Sequence, residues 1–171
     1  MPDATGLELI AQELRDRDET SVLDTVFFRE HAALLVTPES VPATLELLRG
    51  KGYRFMASVH GVDYFPEEPR LGVHYELLSM ERAERLHVKT RLRDGETIPT
   101  VVDIFPTAEF QEREIYDMFG VVFDGHPDMT RILMPEDYVG HPQRRDFPMG
   151  GEAILFTHNE PQTPGWWERD E

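Results

Sequence analysis

Hydrophobic positions recur along the first half of this chain in two rhythms, one helical and one alternating. Leu7, Ile10, Ala11 and Leu14 fall at helical spacing, so residues 5–15 read as a helix. Thr5 and Glu8 have capping-box spacing at its start. Residues 16–19 are a charged connection. Residues 21–28 and 31–37 are rich in Val, Leu and Phe and predict two strands joined by a tight turn at Arg29-Glu30. Thr37 suits the N-cap of a second helix and Pro38 its first turn. Val41, Leu45 and Leu48 would form its buried face, with Gly50 and Gly52 at its end.

Beyond Gly52 the period shortens to two. Residues 54–65 alternate through Phe55, Ala57 and Val59, and Gly61 and Asp63 weaken the far end of that strand. The loop 66–70 holds two prolines and is expected at the surface. Residues 71–80 place Leu71, Val73, Tyr75 and Leu77 on one face. In residues 84–93, Leu86, Val88, Thr90 and Leu92 point one way and Arg85, His87, Lys89, Arg91 and Arg93 the other. One buried and one wet face favours antiparallel pairing. Asp94-Gly95 is a turn signal, and residues 100–105 read as a further short strand. This order predicts an α+β domain, a mostly antiparallel sheet covered by helices on one face. The domain is expected to span residues 1–148, with residues 149–171 as an extended tail. That tail reads either as a frayed terminus or, through the pair Trp166-Trp167, as a segment that docks onto another protein, since Trp is enriched at interface hot spots.

Residues 109–148 are denser in Glu, Arg, Asp, His, Gly and Pro than a core requires. A short helix is expected between Pro106 and Gly120, a residue type that readily takes the left-handed C-terminal position. Ala108, Ile115 and Phe119 share one face, with Tyr116 and Met118 at its flanks. Glu112 projects into that apolar face, where a carboxylate needs a partner or loses its charge. Arg131, Arg144 and Arg145 are the candidate partners. Arg113 and Asp117 lie opposite, at a spacing that allows them to pair. Glu114 reads as a surface or interface charge. Gly125-His126-Pro127 and Gly140-His141-Pro142 repeat one tripeptide and set each His on a bend. Residues 131–134 form a short apolar strand or loop, followed by irregular turns.

The formal charge of −16 disfavours nucleic acid and anionic lipid as partners. The chain has no cysteine, which excludes disulfides, thiol catalysis and cysteine-ligated clusters within it. No signal peptide is expected, and no apolar run approaches the ~20 residues that span a bilayer. Gly-rich phosphate loops are absent. His126 and His141, with Asp124, Asp128, Glu136, Asp137 and Asp146 nearby in sequence, would allow a metal-dependent hydrolase site, although zinc-type His spacing is lacking. The basic strand face of Arg85, Lys89, Arg91 and Arg93 has two readings, a solvated sheet edge or a docking stripe for an acidic partner.

EREIYDMFGVVFDGHPDMTRILMP followed by GHPQRRDFP resembles the signature of the thirty-kilodalton subunit family of bacterial respiratory complex I, the proton-translocating NADH:quinone oxidoreductase. The resemblance is strongest over residues 105–148 and extends more loosely back to about Arg54. Phe110 stands where that pattern has Trp, Gln143 where it has Leu, and Phe147 where Tyr is common. It implies a cofactor-free structural subunit of the peripheral arm, with no catalytic residue or metal ligand of its own. FMN and iron–sulfur clusters would belong to partner subunits. The implied partners are the large quinone-site subunit of complex I and neighbouring iron–sulfur subunits. The implied location is the cytoplasmic side of the inner membrane, reached only through the complex. The expected structural and interface residues are Glu112, Arg113, Glu114, Asp117, Phe119, Gly120, His126, Pro127, Arg131, His141, Arg144, Arg145 and Asp146, with Trp166 and Trp167 in the tail. Equivalent subunits of complex I-like membrane-bound hydrogenases, or of enzymes with other donors, are the alternative within the same architecture.

Overall fold

A computed structural model describes residues 4–29 and 31–148. Helix α1 (Ala4–Arg17) buries Leu7, Ile10, Ala11 and Leu14, as their spacing predicts. It begins before Thr5, which lies inside the helix and not at its cap. Strands β1 (Val22–Phe28) and β2 (His31–Val36) pair as an antiparallel hairpin. Thr37 and Pro38 open a short 3-10 turn, Pro38–Ser40, which leads into α2 (Val41–Gly50). The turn is tied by the Thr37 and Ser40 hydroxyls, 2.6 Å apart. Val41, Leu45 and Leu48 are fully buried on α2.

Strands β3 (Phe55–Asp63), β4 (Leu71–Ser79) and β5 (Glu84–Leu92) form an antiparallel meander. β5 then lies parallel to β2, giving the sheet order β1-β2-β5-β4-β3. The sheet is therefore mixed, with one parallel pairing among antiparallel ones. β5 is a central strand, so its basic face is not the sheet edge that one reading of the sequence supposed. The expected alternation of Phe55, Ala57 and Val59 fails at an irregularity between Met56 and Ser58. A bulge places two residues against one and shifts the phase. Met56 and Val59 point inward, and Phe55 is half exposed.

Residues 100–105 do not form a strand. The short strand falls earlier, as β6 (Thr97–Pro99), and pairs in parallel with β7 (Val122–Asp124). Helix α3 (Ala108–Phe119) runs between them. Tyr53, Tyr75, Leu34, Leu45, Leu48, Leu86 and Leu92 lie at the centre of the core. Phe105, Ile115, Phe119 and Phe123 continue the same core into the signature segment. Gly61 does more than weaken its strand. A Cβ there would stand 2.5 Å from the ring of Phe119, so glycine admits α3 onto β3. Gln111 of α3 also accepts a hydrogen bond from the Val59 N–H, covering part of the β3 edge.

Candidate functional site

Glu112 is fully buried, as its place in the apolar face of α3 predicts. Its partners are different from those expected. Its carboxylate accepts the Val101 N–H at 2.9 Å and the Thr100 hydroxyl at 2.5 Å. His126 Nε2 lies 4.0 Å away. Arg131, Arg144 and Arg145 all act elsewhere. The turns at residues 100–105, which are not a strand, aim these donors at Glu112. Burial pushes its carboxyl above the ordinary range; the Thr100 and Val101 hydrogen bonds and His126 only partly oppose this.

Asp117 does not pair with Arg113. It is turned inward and fully buried. Its Oδ2 accepts the N–H groups of Ile132, Leu133 and Met134 at 3.1, 2.8 and 2.8 Å, and its Oδ1 accepts Arg131 Nη1 at 2.6 Å. Consecutive N–H groups converging on one anion outweigh an exposed ion pair. Residues 131–134 are accordingly a loop wrapped around a carboxylate. Burial pushes Asp117 up, but the three N–H groups and Arg131 together hold it below the usual range. Arg131 Nη2 continues to the carbonyls of Tyr138 and Gly140 at 2.9 and 3.0 Å. Arg113 instead binds the Thr130 carbonyl at 3.1 Å and hydroxyl at 2.8 Å, and the Arg131 carbonyl at 3.1 Å.

The second Gly-His-Pro repeat closes the end of α3. Gly120 takes the left-handed conformation, with φ of 78°. The Gly120 N–H meets the Tyr116 carbonyl at 2.9 Å. His141 Nδ1 meets that of Asp117 at 3.0 Å. The Gln143 N–H meets Met118 at 3.1 Å, and Arg144 Nε meets Phe119 at 2.6 Å. All four carbonyls of the last turn thereby gain a donor. Arg144 also grips Asp94 with two bonds of 2.8 and 2.9 Å. Gln143 takes part through its backbone and is exposed, so the departure from Leu leaves the turn unaffected.

The first repeat serves the other end of α3. His126 Nε2 donates to the Glu109 carbonyl at 3.1 Å, and its Nδ1 accepts the Asp128 N–H at 3.1 Å. Pro127 follows it at the surface. Glu109 and Asp117 are separated by about 12 Å at the helical rise of about 1.5 Å per residue. The two histidines therefore bracket α3 and do not converge on one ion. Among the described residues no group of three His, Asp or Glu could hold a metal. The hydrolase site drawn on His126 and His141 has no geometric basis here.

Arg70 is the residue that sequence reasoning missed. It ends the loop expected at the surface, yet it is buried. Its Nε and Nη2 hold both oxygens of Asp63 at 2.9 and 2.8 Å, and Nη1 binds Asp146 at 2.8 Å. Asp63 also accepts the Arg145 N–H at 2.8 Å, while Arg145 Nη1 reaches the Phe65 carbonyl at 2.8 Å. Hydrogen bonding from Arg70, the largest influence, keeps the Asp63 carboxyl well below its usual range despite burial. One signal was available: Asp63 is in phase with inward-facing Val59 and Gly61, and a buried Asp requires a cation.

Glu114 is exposed, as expected. Trp166 and Trp167 lie outside the described residues. While Glu112, Asp117, Arg131 and Arg144 turn inward, Phe110 (59% exposed), Leu133 (60%) and Val139 (88%) turn out.

The family model described as "Respiratory-chain NADH dehydrogenase, 30 Kd subunit" matches residues 34–153. A protein of Herpetosiphon aurantiacus, named as the C subunit of NADH-quinone oxidoreductase, is 48% identical over 132 residues, covering 74% of this chain and 77% of that one. One of the same name from Roseiflexus sp. strain RS-1 is 37% identical over 164 residues, covering 94% and 92%. Another, from Saccharopolyspora erythraea, is 51% identical, but this chain spans only 46% of its length. Among solved structures, a trypsin-resistant fragment of Nqo5 has a TM-score of 0.61 at 30% identity, covering 71% of this chain and 98% of that fragment. A chain of the membrane-bound sulfane sulfur reductase, an archaeal respiratory membrane complex, has a TM-score of 0.70 at 29% identity, covering 83% and 85%. The charge-locked segment around α3 lies inside the matched region, and the chain belongs to the family of the 30 Kd subunit of respiratory-chain NADH dehydrogenase.

Proposed function

We propose that this chain is a structural subunit of the peripheral arm of a proton-translocating NADH:quinone oxidoreductase. In this reading it holds no cofactor. It positions the large quinone-site subunit and neighbouring iron–sulfur subunits, which with their partners carry the FMN and the clusters. One observation carries the scaffold role. The signature directs Asp117, Arg131 and Arg144 into its own fold and presents Phe110, Leu133 and Val139 outward on a backbone fixed by those groups. An exposed apolar surface on a rigid frame suits docking. Electron transfer depends on fixed distances between centres, so rigidity in a subunit without a centre still serves the reaction.

No described helix is long and apolar enough to cross a membrane. Attachment at the cytoplasmic side of the membrane would pass through partner subunits. The test is a mild-detergent pull-down of the tagged chain from its own membranes, with a visible spectrum and an NADH:quinone assay. Iron–sulfur absorbance with NADH oxidation is the expected result. Leu133→Asp combined with Val139→Asp should leave the chain folded and reduce the co-purified iron at least ~10-fold, as desolvating two charges at an interface core costs several kcal/mol. Undiminished iron in that variant would remove Leu133 and Val139 from the docking surface.

The likeness to the sulfane sulfur reductase chain favours a second reading, the same scaffold in a complex with a different electron donor or acceptor. Iron–sulfur absorbance without NADH oxidation would select it. The names of the sequence relatives, at 37–51% identity, favour the first.

A further inference from the structure

The sheet face that turns away from the helices has an unusual make-up, and the strand register gives its layout. One row across β3, β4, β5 and β2 reads Ser58, Glu76, His87 and Ala33. The next reads His60, His74, Lys89 and Leu35. Arg85 and Arg91 flank these rows on β5, and His31 lies beyond Ala33 on β2. Of the seven histidines in the chain, His31, His60, His74 and His87 stand on this one face. With Arg85, Lys89 and Arg91 they make a basic surface on a chain whose formal charge is −16.

Three acids lie on or beside it, as many as its fixed cations. Glu76 is held by Arg85 at 3.2 Å and by the Ser58 hydroxyl at 3.3 Å. Asp24 stands at the β1 margin opposite Leu35, and Glu67 lies 3.6 Å from Arg91 at the far end. The Arg91 guanidinium stacks on the Tyr64 ring at 4.1 Å, and its Nε makes no hydrogen bond among the described residues. The histidines are close to one another. The His60 and His74 rings are 5.4 Å apart, and those of His31 and His87 are 5.9 Å apart. The Tyr64 hydroxyl lies 2.9 Å from His74 Nε2.

We propose that this face is a docking surface for an acidic polypeptide segment of a partner protein, held by Arg85, Lys89, Arg91 and the histidines, and that docking tightens as pH falls. Charge complementarity selects the occupant. The chain as a whole is repelled by an anionic membrane, so the attraction must be local, as with a short acidic segment crossing the strands. The free face suppresses its own charge. Burial pushes His74 down to about 4, with Lys89, His60 and His87 adding to the effect. Burial also depresses His87; Lys89, His31 and His60 deepen this, and Glu76 opposes it. A carboxylate laid over the rings reverses the sign of these Coulombic effects and favours the imidazolium. Binding then takes up protons, and linkage requires it to strengthen with acidification. Docking of this kind does not depend on which electron donor or acceptor the assembly uses.

The test is titration of the purified full chain with a fluorescent poly-aspartate peptide at low ionic strength, at about pH 7.5 and about pH 5.5. Aspartate, with a reference pKa of ~3.9, stays charged throughout this window. Affinity should rise about 10-fold at the lower pH, the rise expected when docking returns His74 from about 4 to the ordinary histidine value of ~6.5. The double variant His74→Gln/His87→Gln should keep its fold and reduce that rise to under ~2-fold. Arg85→Ala with Lys89→Ala should weaken binding at both pH values, while Arg17→Ala on α1 should not. Absent saturable binding, equal loss with Arg17→Ala, or an unchanged pH response in the histidine variant would each overturn the proposal. So would binding of phosphatidylserine vesicles with the same dependence on Arg85 and Lys89, which would reassign the face to a membrane.

Discussion

Glu112 and Asp117 are two carboxylates on one helix, both fully buried, with opposite electrostatic fates. Asp117 has three N–H donors and a guanidinium and is held below the usual range. Glu112 has one N–H and one hydroxyl and is pushed above it. Because its folded-state pKa is raised, the contribution of Glu112 to stability is fully present below the unfolded value of ~4.3 and is lost as pH rises through the folded value. Glu112→Gln, which keeps an acceptor without the charge, should therefore equal or exceed the parent in stability at neutral pH. That advantage should vanish at pH ~4, where both side chains are neutral in the fold. Glu112→Ala leaves the Val101 N–H unpaired in the core and should cost about 1–3 kcal/mol at either pH. Urea denaturation of the three proteins at both pH values checks this, and a Gln variant as unstable as Ala would contradict it. The burial of Glu112 was legible because helical spacing set it between Ala108 and Ile115. Its partners were not, because a backbone N–H and a threonine hydroxyl carry no charge signature to match.

At the scale of elements, legibility followed periodicity. α1, α2, β4 and β5 lie close to where their apolar spacing puts them, since one buried and one wet face impose a period. The failures share a cause. The bulge at residues 56–58 inserts a residue and breaks the phase of β3, and β6 is too short to show any phase. The loop 131–134 is shaped by the Asp117 carboxylate, so its apolar side chains do not report its form. The C-terminal cap of α3 shows the same division. Gly120 was readable as a helix stop, but the convergence of His141, Gln143 and Arg144 on the last carbonyls was not. Gly120→Ala tests that cap as a unit. A left-handed alanine costs about 1–2 kcal/mol by itself. Its Cβ would also stand 2.6 Å from the His141 ring and 2.9 Å from Arg144, so the cap must shift. Amide exchange at Gln143 and Arg144 should accelerate more than exchange in β4. Uniform acceleration across both would mean that the cap has no local role.

Across the whole molecule, Arg70 joins parts of the chain that sequence keeps far apart. It fixes Asp63 at the end of β3 to Asp146 in the last described turn, and Asp63 in turn holds the Arg145 N–H. The signature is thereby locked to the end of β3, while Arg144 and Asp94 tie it to the turn after β5. Arg70→Met removes the cation and leaves Asp63 buried, a loss of about 3–5 kcal/mol by analogy with broken buried pairs. The sign of the pH dependence follows from the depressed carboxyl of Asp63. Its contribution is present above the unfolded value of ~3.9 and is lost as pH falls toward the folded one. The parent should thus lose stability steeply in acid, and Arg70→Met, already without the pair, should show a shallower slope below pH ~4. A double variant, Arg70→Met with Asp63→Asn, removes the stranded charge and should recover part of the loss. If the lock also serves assembly, that stabilised double variant will still co-purify with less iron than the parent, because Asp146 and the signature turn remain untethered. Full recovery of both stability and iron would mean that Arg70 only neutralises Asp63 and does not set where the signature lies.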